Sequence, residues 1–186
     1  MNGQVLKGDP DVEPDTLAEL QARLRRLEDE SAITRLIMSY GPAADAGLTP
    51  FAGRLWLGDG VYDWNANGTP HQGSAGVDAM LQSDGHQGLI AAGIAHFAGP
   101  LLLDLDGDEA TALNYSLIMR RDGDRFYLWR VSAVRWDLAR TRSGWRVRRR
   151  TKRLLDETGA GRELFGDTLT EAVSYTHLTL PTTPYV

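Results

Sequence analysis

The sequence predicts an α+β fold, with helices first and a tightly curved antiparallel sheet wrapped around them. Three observations predict it. Apolar residues at helical spacing occupy the first part of the chain, where Leu17, Leu20, Leu24 and Leu27 are followed by Ile33, Leu36, Ile37 and Tyr40. From Ile94 onward the pattern changes to four β runs separated by three glycine-containing turns: Asp106-Gly107-Asp108, Arg121-Asp122-Gly123-Asp124 and Thr141-Arg142-Ser143-Gly144. Strands that follow strands, rather than alternating with helices, mark an α+β chain. The 186 residues, 42% of them hydrophobic, are enough for one domain with a substantial core. With no cysteine, the chain excludes a disulfide scaffold, a thiolate-ligated metal site and a cysteine nucleophile.

Residues 1–14 hold Gly3, Gly8, Pro10 and Pro14 without a period and read as a flexible leader. Thr16 followed by Glu19 forms a capping box and starts the first helix. The leucine seam at 3-4-3 spacing is narrow and calls for a partner surface. The apolar face changes register after Glu28-Asp29-Glu30-Ser31, so the helix either breaks near Ser31 or continues with a new buried face. Pro42 kinks or ends it, with a last turn through Asp45 and a stop at Gly47. A short helix over 49–57 carries Pro50 near its first position, and Gly58-Asp59-Gly60 closes it. Residues 61–64 read as a short strand, 65–73 as turns and 76–82 as a helix, which Gly85, Gly88 and Gly93 make hard to extend. The four β runs span 95–105, 109–120, 125–140 and 145–154. The domain is therefore expected over 15–156, with a C-terminal extension at 157–172.

Residues 173–186 differ from all that precedes them. Val173 to Thr182 carries no acidic or basic charge and three threonines, and it resembles the translation of a transposase adapter used in sequencing libraries. That tail, including Tyr175 and His177, is expected to be non-native and to take no part in fold or function.

Charge narrows the partners. The net charge of −5 argues against a dedicated nucleic-acid binder. Residues 120–153 nonetheless hold twelve arginines and one lysine against three aspartates. Arg146, Arg148 and Arg150 alternate, as one strand face does, so this surface is expected to be solvated or paired within the chain. No apolar run is long enough to span a membrane and no signal peptide is visible at the start, so a cytoplasmic location is expected. Asp106-Gly107-Asp108-Glu109 lacks the downstream glutamate of a calcium loop, and neither it nor Asp63 with His71 has metal-ligand company. No metal or cofactor is expected.

A set of short motifs then takes on meaning together: Ala32-Ile33, Tyr40, Ala44-Asp45, Trp56 and Asp59-Gly60-Val61-Tyr62-Asp63, then His96-Phe97, Asp106-Gly107-Asp108-Glu109-Ala110, Trp136, Arg140 and Gly144-Trp145-Arg146-Val147 through Arg150. In order and spacing, over residues 16–155, they resemble the SnoaL-like branch of the nuclear transport factor 2-like superfamily. The resemblance implies a cone with a deep pocket at its wide end, assembled as a homodimer or homotrimer. In the dehydratases and dehydrochlorinases of that superfamily, an aspartate ending the first long helix works with a histidine on a sheet strand. These positions fall on Asp45 and His96, and Tyr40 matches a tyrosine common in the dehydratase branch. The second histidine of scytalone dehydratase finds no counterpart, and Tyr115 lies in that region.

A carboxylate bonded to one imidazole nitrogen fixes the tautomer and leaves the other nitrogen free to accept a proton. Such a pair suits removal of a proton from carbon beside an activating group, followed by loss of a leaving group. Tyr40, Tyr62 and Tyr115 can donate to a developing oxyanion. Trp56 and Trp129, with Trp64, are expected as pocket wall or core, and Arg150 by family analogy reaches the pocket. His71 and His86 sit in loop-like contexts and are expected to be solvated. The expected function is a cofactor-independent lyase or isomerase (a dehydratase, dehydrohalogenase or ketosteroid-isomerase-like enzyme) acting on a small apolar cyclic molecule. The alternative is a non-catalytic ligand-binding or assembly module resembling the β subunit of an aromatic-ring dioxygenase. A closed pocket with Asp45 and His96 in hydrogen-bond reach favours the first; a pocket filled by tryptophans favours the second.

Overall fold

A computed structural model describes residues 16–64 and 68–173. The expected leader, all but the first residue of the expected tail, and part of the turn after Trp64 lie outside them. The first helix, α1 (Leu17–Asp45), starts at the expected capping box: Thr16 Oγ1 accepts from the Glu19 amide at 3.3 Å, and Glu19 Oε2 accepts from the Thr16 amide at 2.6 Å. It does not break at Ser31. Its buried face is Ile33, Ile37, Tyr40, Ala43 and Ala44, while Leu17, Leu20, Leu24 and Leu27 remain 49–73% exposed. The helix runs through Pro42 and ends at Asp45, and Gly47 takes the left-handed conformation (φ 69°) that releases the chain.

A short helix, α2 (Thr49–Gly53), leads into β1 (Trp56–Asp63), longer than expected because it begins at Trp56. The bridge β2 (His71–Gln72) pairs with β1, and α3 (Gly73–Gln82) follows. A separate helix, α4 (Asp84–Ala92), then starts on its own cap, Ser83 Oγ, which accepts from the His86 amide. The expected run over 95–105 is two strands, β3 (Ile94–Ala98) and β4 (Leu102–Asp106). They part at Gly99-Pro100, where proline has no amide for the ladder and the Gly99 amide donates to the Tyr115 carbonyl instead. β5 (Glu109–Asp122), β6 (Arg125–Thr141) and β7 (Gly144–Leu154) are joined by the expected tight turns. A last helix, α5 (Ala160–Val173), packs on β6 and β7.

The sheet order is β2-β1-β7-β6-β5-β3, with β4 also paired to β5. One pairing departs from a pure antiparallel meander: β1 runs parallel to β7, joining the first strand to the last. The sheet curves without closing, and α1 and α3 fill its concave side with Ile33, Ile37, Val77 and Leu81 against Ala112, Val134, Trp136, Leu138 and Val147. Among the described residues no helix is long and apolar enough to cross a membrane.

Two bulges decide which side chains reach the concave face. Between Ile118 and Met119 the β5–β6 register slips by one residue, leaving Trp129 unpaired. Between Asp137 and Leu138 the β6–β7 register slips again, leaving Arg148 unpaired. The second bulge overturns the expectation that Arg146, Arg148 and Arg150 share a face. Beyond it Arg150 pairs with Trp136 and Lys152 with Val134, so both turn inward and are buried.

Gly41 fixes the distance between α1 and β3. A Cβ there would lie 2.7 Å from the His96 carbonyl oxygen, a backbone atom that cannot swing aside. Gly41→Ala is therefore expected to lower stability by about 1–3 kcal/mol in denaturant unfolding, despite its better helix propensity. Gly88→Ala on α4, where the new methyl meets open space, should be neutral or stabilising. Equal behaviour of the two variants would contradict the close-approach argument.

Candidate active site

Where α1, α4, β3 and the inward faces of β6 and β7 meet, a cavity of about 500 Å³ opens. Its wall includes Tyr40, Tyr62, Trp64, His86, His96, Ile118, Trp129, Arg130 and Lys152. Asp45, the last residue of α1, uses both carboxylate oxygens on one histidine. Oδ1 is 2.5 Å from His96 Nδ1, and Oδ2 accepts the His96 backbone amide at 2.7 Å. The ring can turn only with its backbone, and Nδ1 carries the proton that the carboxylate accepts. Nε2 is then the basic nitrogen of the neutral ring.

His86 is the residue that sequence reasoning missed. It sits on the first turn of α4, lines the cavity, and stacks its ring 6.0 Å from that of His96, tilted by 31°. Its Nε2 is buried with no hydrogen-bond partner. Burial, reinforced by the nearby His96 ring, lowers its pKa below the usual histidine value, so it is held as neutral imidazole. The expectation of a solvated His86 is corrected. Ser83 three residues ahead of His86 is the helix-start signal that the surrounding glycines obscured.

The other expected residues divide into three groups. Tyr40 and Tyr62 line the cavity, and both are buried. Burial, with Tyr62 alongside, pushes the Tyr40 hydroxyl well above its ordinary pKa, so it stays a proton-bearing donor. Trp129 also reaches the wall, as the unpaired residue of the first bulge, with the Arg130 guanidinium 4.0 Å from its ring centre. Trp56 and Arg150 lie behind the wall rather than in it. Trp56 packs edge-on to Tyr40 at 5.4 Å, and Arg150 lies over the faces of Tyr40, Tyr62 and Trp136 at 4.4–4.7 Å. The placement of Tyr115 is a correction. Asn114 and Ser116 turn inward, so strand alternation sends Tyr115 to the convex face, 55% exposed, against the Phe165 ring of α5. Tyr115 is not in the cavity wall. His71 is partly buried beside the cavity and accepts a hydrogen bond from Trp64 Nε1 at 3.2 Å.

Most of the basic stretch is paired within the chain. Arg135 meets Asp137 and Glu171, Arg140 meets Asp29 and Asp108, Arg148 meets Glu109, and Arg149 and Arg153 both clasp Asp63. The two guanidiniums hold Asp63 below the usual carboxylate pKa. Lys152 is different. It is 6% exposed, and burial, with Arg150 and Arg130 nearby, lowers its pKa to about 7 from an ordinary 10.5.

Comparison with known proteins sets this geometry in context. The SnoaL-like domain family matches residues 25–151. An NTF2-like protein with a cystatin-like fold from Novosphingobium aromaticivorans is 42% identical, with 81% of this chain and 97% of that one covered and a TM-score of 0.78. Two more distant structures from the same organism share the fold. One, described provisionally as an aromatic ring hydroxylase, is 24% identical over 70% of this chain and 91% of that one, with a TM-score of 0.58. The other, described provisionally as a scytalone dehydratase, is 16% identical over 72% and 89%, with a TM-score of 0.60. No curated protein matches the chain.

Lys152 gives a test of the site's electrostatics. Because its folded pKa lies below its unfolded value, the cost of burying the charged amine is full below about pH 7 and fades as pH rises towards 10.5. Lys152→Met is expected to be more stable than the wild type by a few kcal/mol, on the order implied by such a shift. That gap should shrink as unfolding is measured at rising pH. A gap independent of pH, or of opposite sign, would show that Lys152 is not a buried cation.

Proposed function

The chain belongs to the SnoaL-like domain family, and from that premise we propose that it is a cofactor-independent lyase or isomerase acting on a small, largely apolar cyclic molecule. The observation that carries this reading is the two-oxygen hold of Asp45 on His96 at the edge of a ligand-sized cavity. His96 Nε2 takes a proton from a carbon beside an activating group, and Asp45 stabilises the imidazolium that forms. The electron pair left on carbon becomes a new double bond. In an elimination the leaving group departs with its own bonding pair; in an isomerisation His96 returns the proton one position along. Tyr40, kept protonated by burial, donates to the oxygen on which charge develops. His86 brings a second neutral imidazole close to the first; its ring N–H is taken by the Ala44 carbonyl, so its Nε2 would meet a substrate hydroxyl as an acceptor. Tyr62 and Trp129 shape the wall. A cavity of about 500 Å³ suits a molecule of a few fused rings.

One observation favours a second reading, the non-catalytic binding or assembly module. The leucine seam on the first half of α1 is left exposed, as an assembling surface would be. The seam equally suits a homodimer or homotrimer of an enzyme.

Turnover separates the two. Hydroxylated, halogenated and β,γ-unsaturated cyclic ketones should be screened with wild type and His96→Gln. A substrate is expected whose kcat falls about 10²–10⁴-fold in His96→Gln, the usual worth of a general base, while the melting temperature holds. Turnover that ignores the substitution would remove the mechanism.

A further inference from the structure

We propose that the β6–β7 wall of the cavity is an anion subsite, built by Lys152 and Arg130, that takes a carboxylate carried on the ring of an aromatic or alicyclic ligand. The inference rests on the same cavity as the proposed activity and narrows its ligand class, but it does not depend on turnover.

The sheet separates its cations by face. Five outward and rim arginines, Arg135, Arg140, Arg148, Arg149 and Arg153, meet carboxylates, as set out above. The inward ones do not. Among the described residues neither Lys152, Arg130 nor Arg150 is in an ion pair, and the charges that act on Lys152 are the two arginines, both positive. Arg150 sits directly behind with Nε and Nη1 buried and without partners. Its charge rests on three ring faces. The nearby acids are already committed: both Asp45 oxygens to His96, Asp63 to Arg149 and Arg153, and Asp156, at the edge of the cavity, to Thr158.

Two buried basic groups, Arg150 and Lys152, with the half-buried Arg130 beside them and no counter-ion, are costly, because desolvation and mutual repulsion act in the same direction. A second register slip was needed to bring Arg150 and Lys152 inward, so the arrangement is specific to this strand. An anion on Lys152 and Arg130 would offset both costs. It would also restore the charge of an amine that burial holds near pKa 7. Beside these cations the wall is apolar, with Met80, Leu89, Ile118 and Trp129 placed to hold a ring. A flat ring bearing one carboxylate satisfies both halves, whereas a free inorganic anion satisfies only the polar half.

The test compares 2-naphthoate with 2-naphthamide, which share a ring system and differ in charge. Binding is followed by calorimetry in mildly acidic buffer at fixed ionic strength. The wild type is expected to bind the naphthoate at least about tenfold more tightly, a difference of about 1.4 kcal/mol. Lys152→Met should remove that preference and leave the naphthamide affinity within about twofold. Arg130→Gln should weaken it in the same charge-selective way, and serves if Lys152→Met does not fold. His96→Gln should keep the preference, which separates failure of the subsite from failure of the catalytic reading. Inorganic phosphate at equal ionic strength should not displace the naphthoate. Equal affinities for the two ligands in the wild type, equal losses for both in the variants, or displacement by phosphate would overturn the proposal.

Discussion

Everything at the site depends on how α1 ends. A carboxylate in the last turn of a helix faces the negative end of the helix dipole and is locally unfavourable. Asp45 is stable there because β3 presents two N–H donors to it, one from the His96 backbone and one from the ring. The same contact locks the imidazole and docks the helix end on the sheet. Gly41, one turn earlier, allows the approach. A local electrostatic conflict is thus resolved by a tertiary contact, and the residue that resolves it is the one proposed to act as base.

Register makes the second contribution. Strand alternation alone would have continued the inward row of β7 from Trp145 and Val147 to Arg149, Thr151 and Arg153. A single unpaired residue, Arg148, shifts the phase, so that Arg150 and Lys152 point into the cone. A comparable slip on β6 leaves Trp129 unpaired beside the cavity mouth. Bulges of this kind add no new chemistry. They change which of several similar side chains is buried, and so turn an evenly basic strand into one paired face and one unpaired face.

These two devices explain what could and could not be read from the residues. The α+β class, the capping box at Thr16 and the three tight turns followed from local signals, and each stands where expected. The juxtaposition of Asp45 and His96 came from resemblance, since nothing in a single chain brings residue 45 to residue 96. Tyr115 faces away from the pocket because of its strand's parity: Asn114 and Ser116 are the small polar residues that face inward. His86 was missed because three glycines hid a helix whose start is marked by Ser83. The parallel pairing of β1 with β7, and the inward turn of Lys152, depend on contacts between distant segments and on a bulge with no signature in this sequence. The family supplies the frame, while the strand-level detail that distinguishes this pocket is visible only in three dimensions.

The central claim is that Asp45 holds His96 with its proton on Nδ1 and its basic lone pair on Nε2. Nitrogen-15 NMR of histidine-labelled protein, with the His96 signals assigned by their loss in His96→Gln, measures this directly. At a pH where the ring is neutral, the account predicts a protonated Nδ1 and an unprotonated Nε2 for His96, and a mixed or reversed pattern in Asp45→Asn. A His96 ring with the proton on Nε2 in the wild type, or one whose tautomer is indifferent to residue 45, would contradict it.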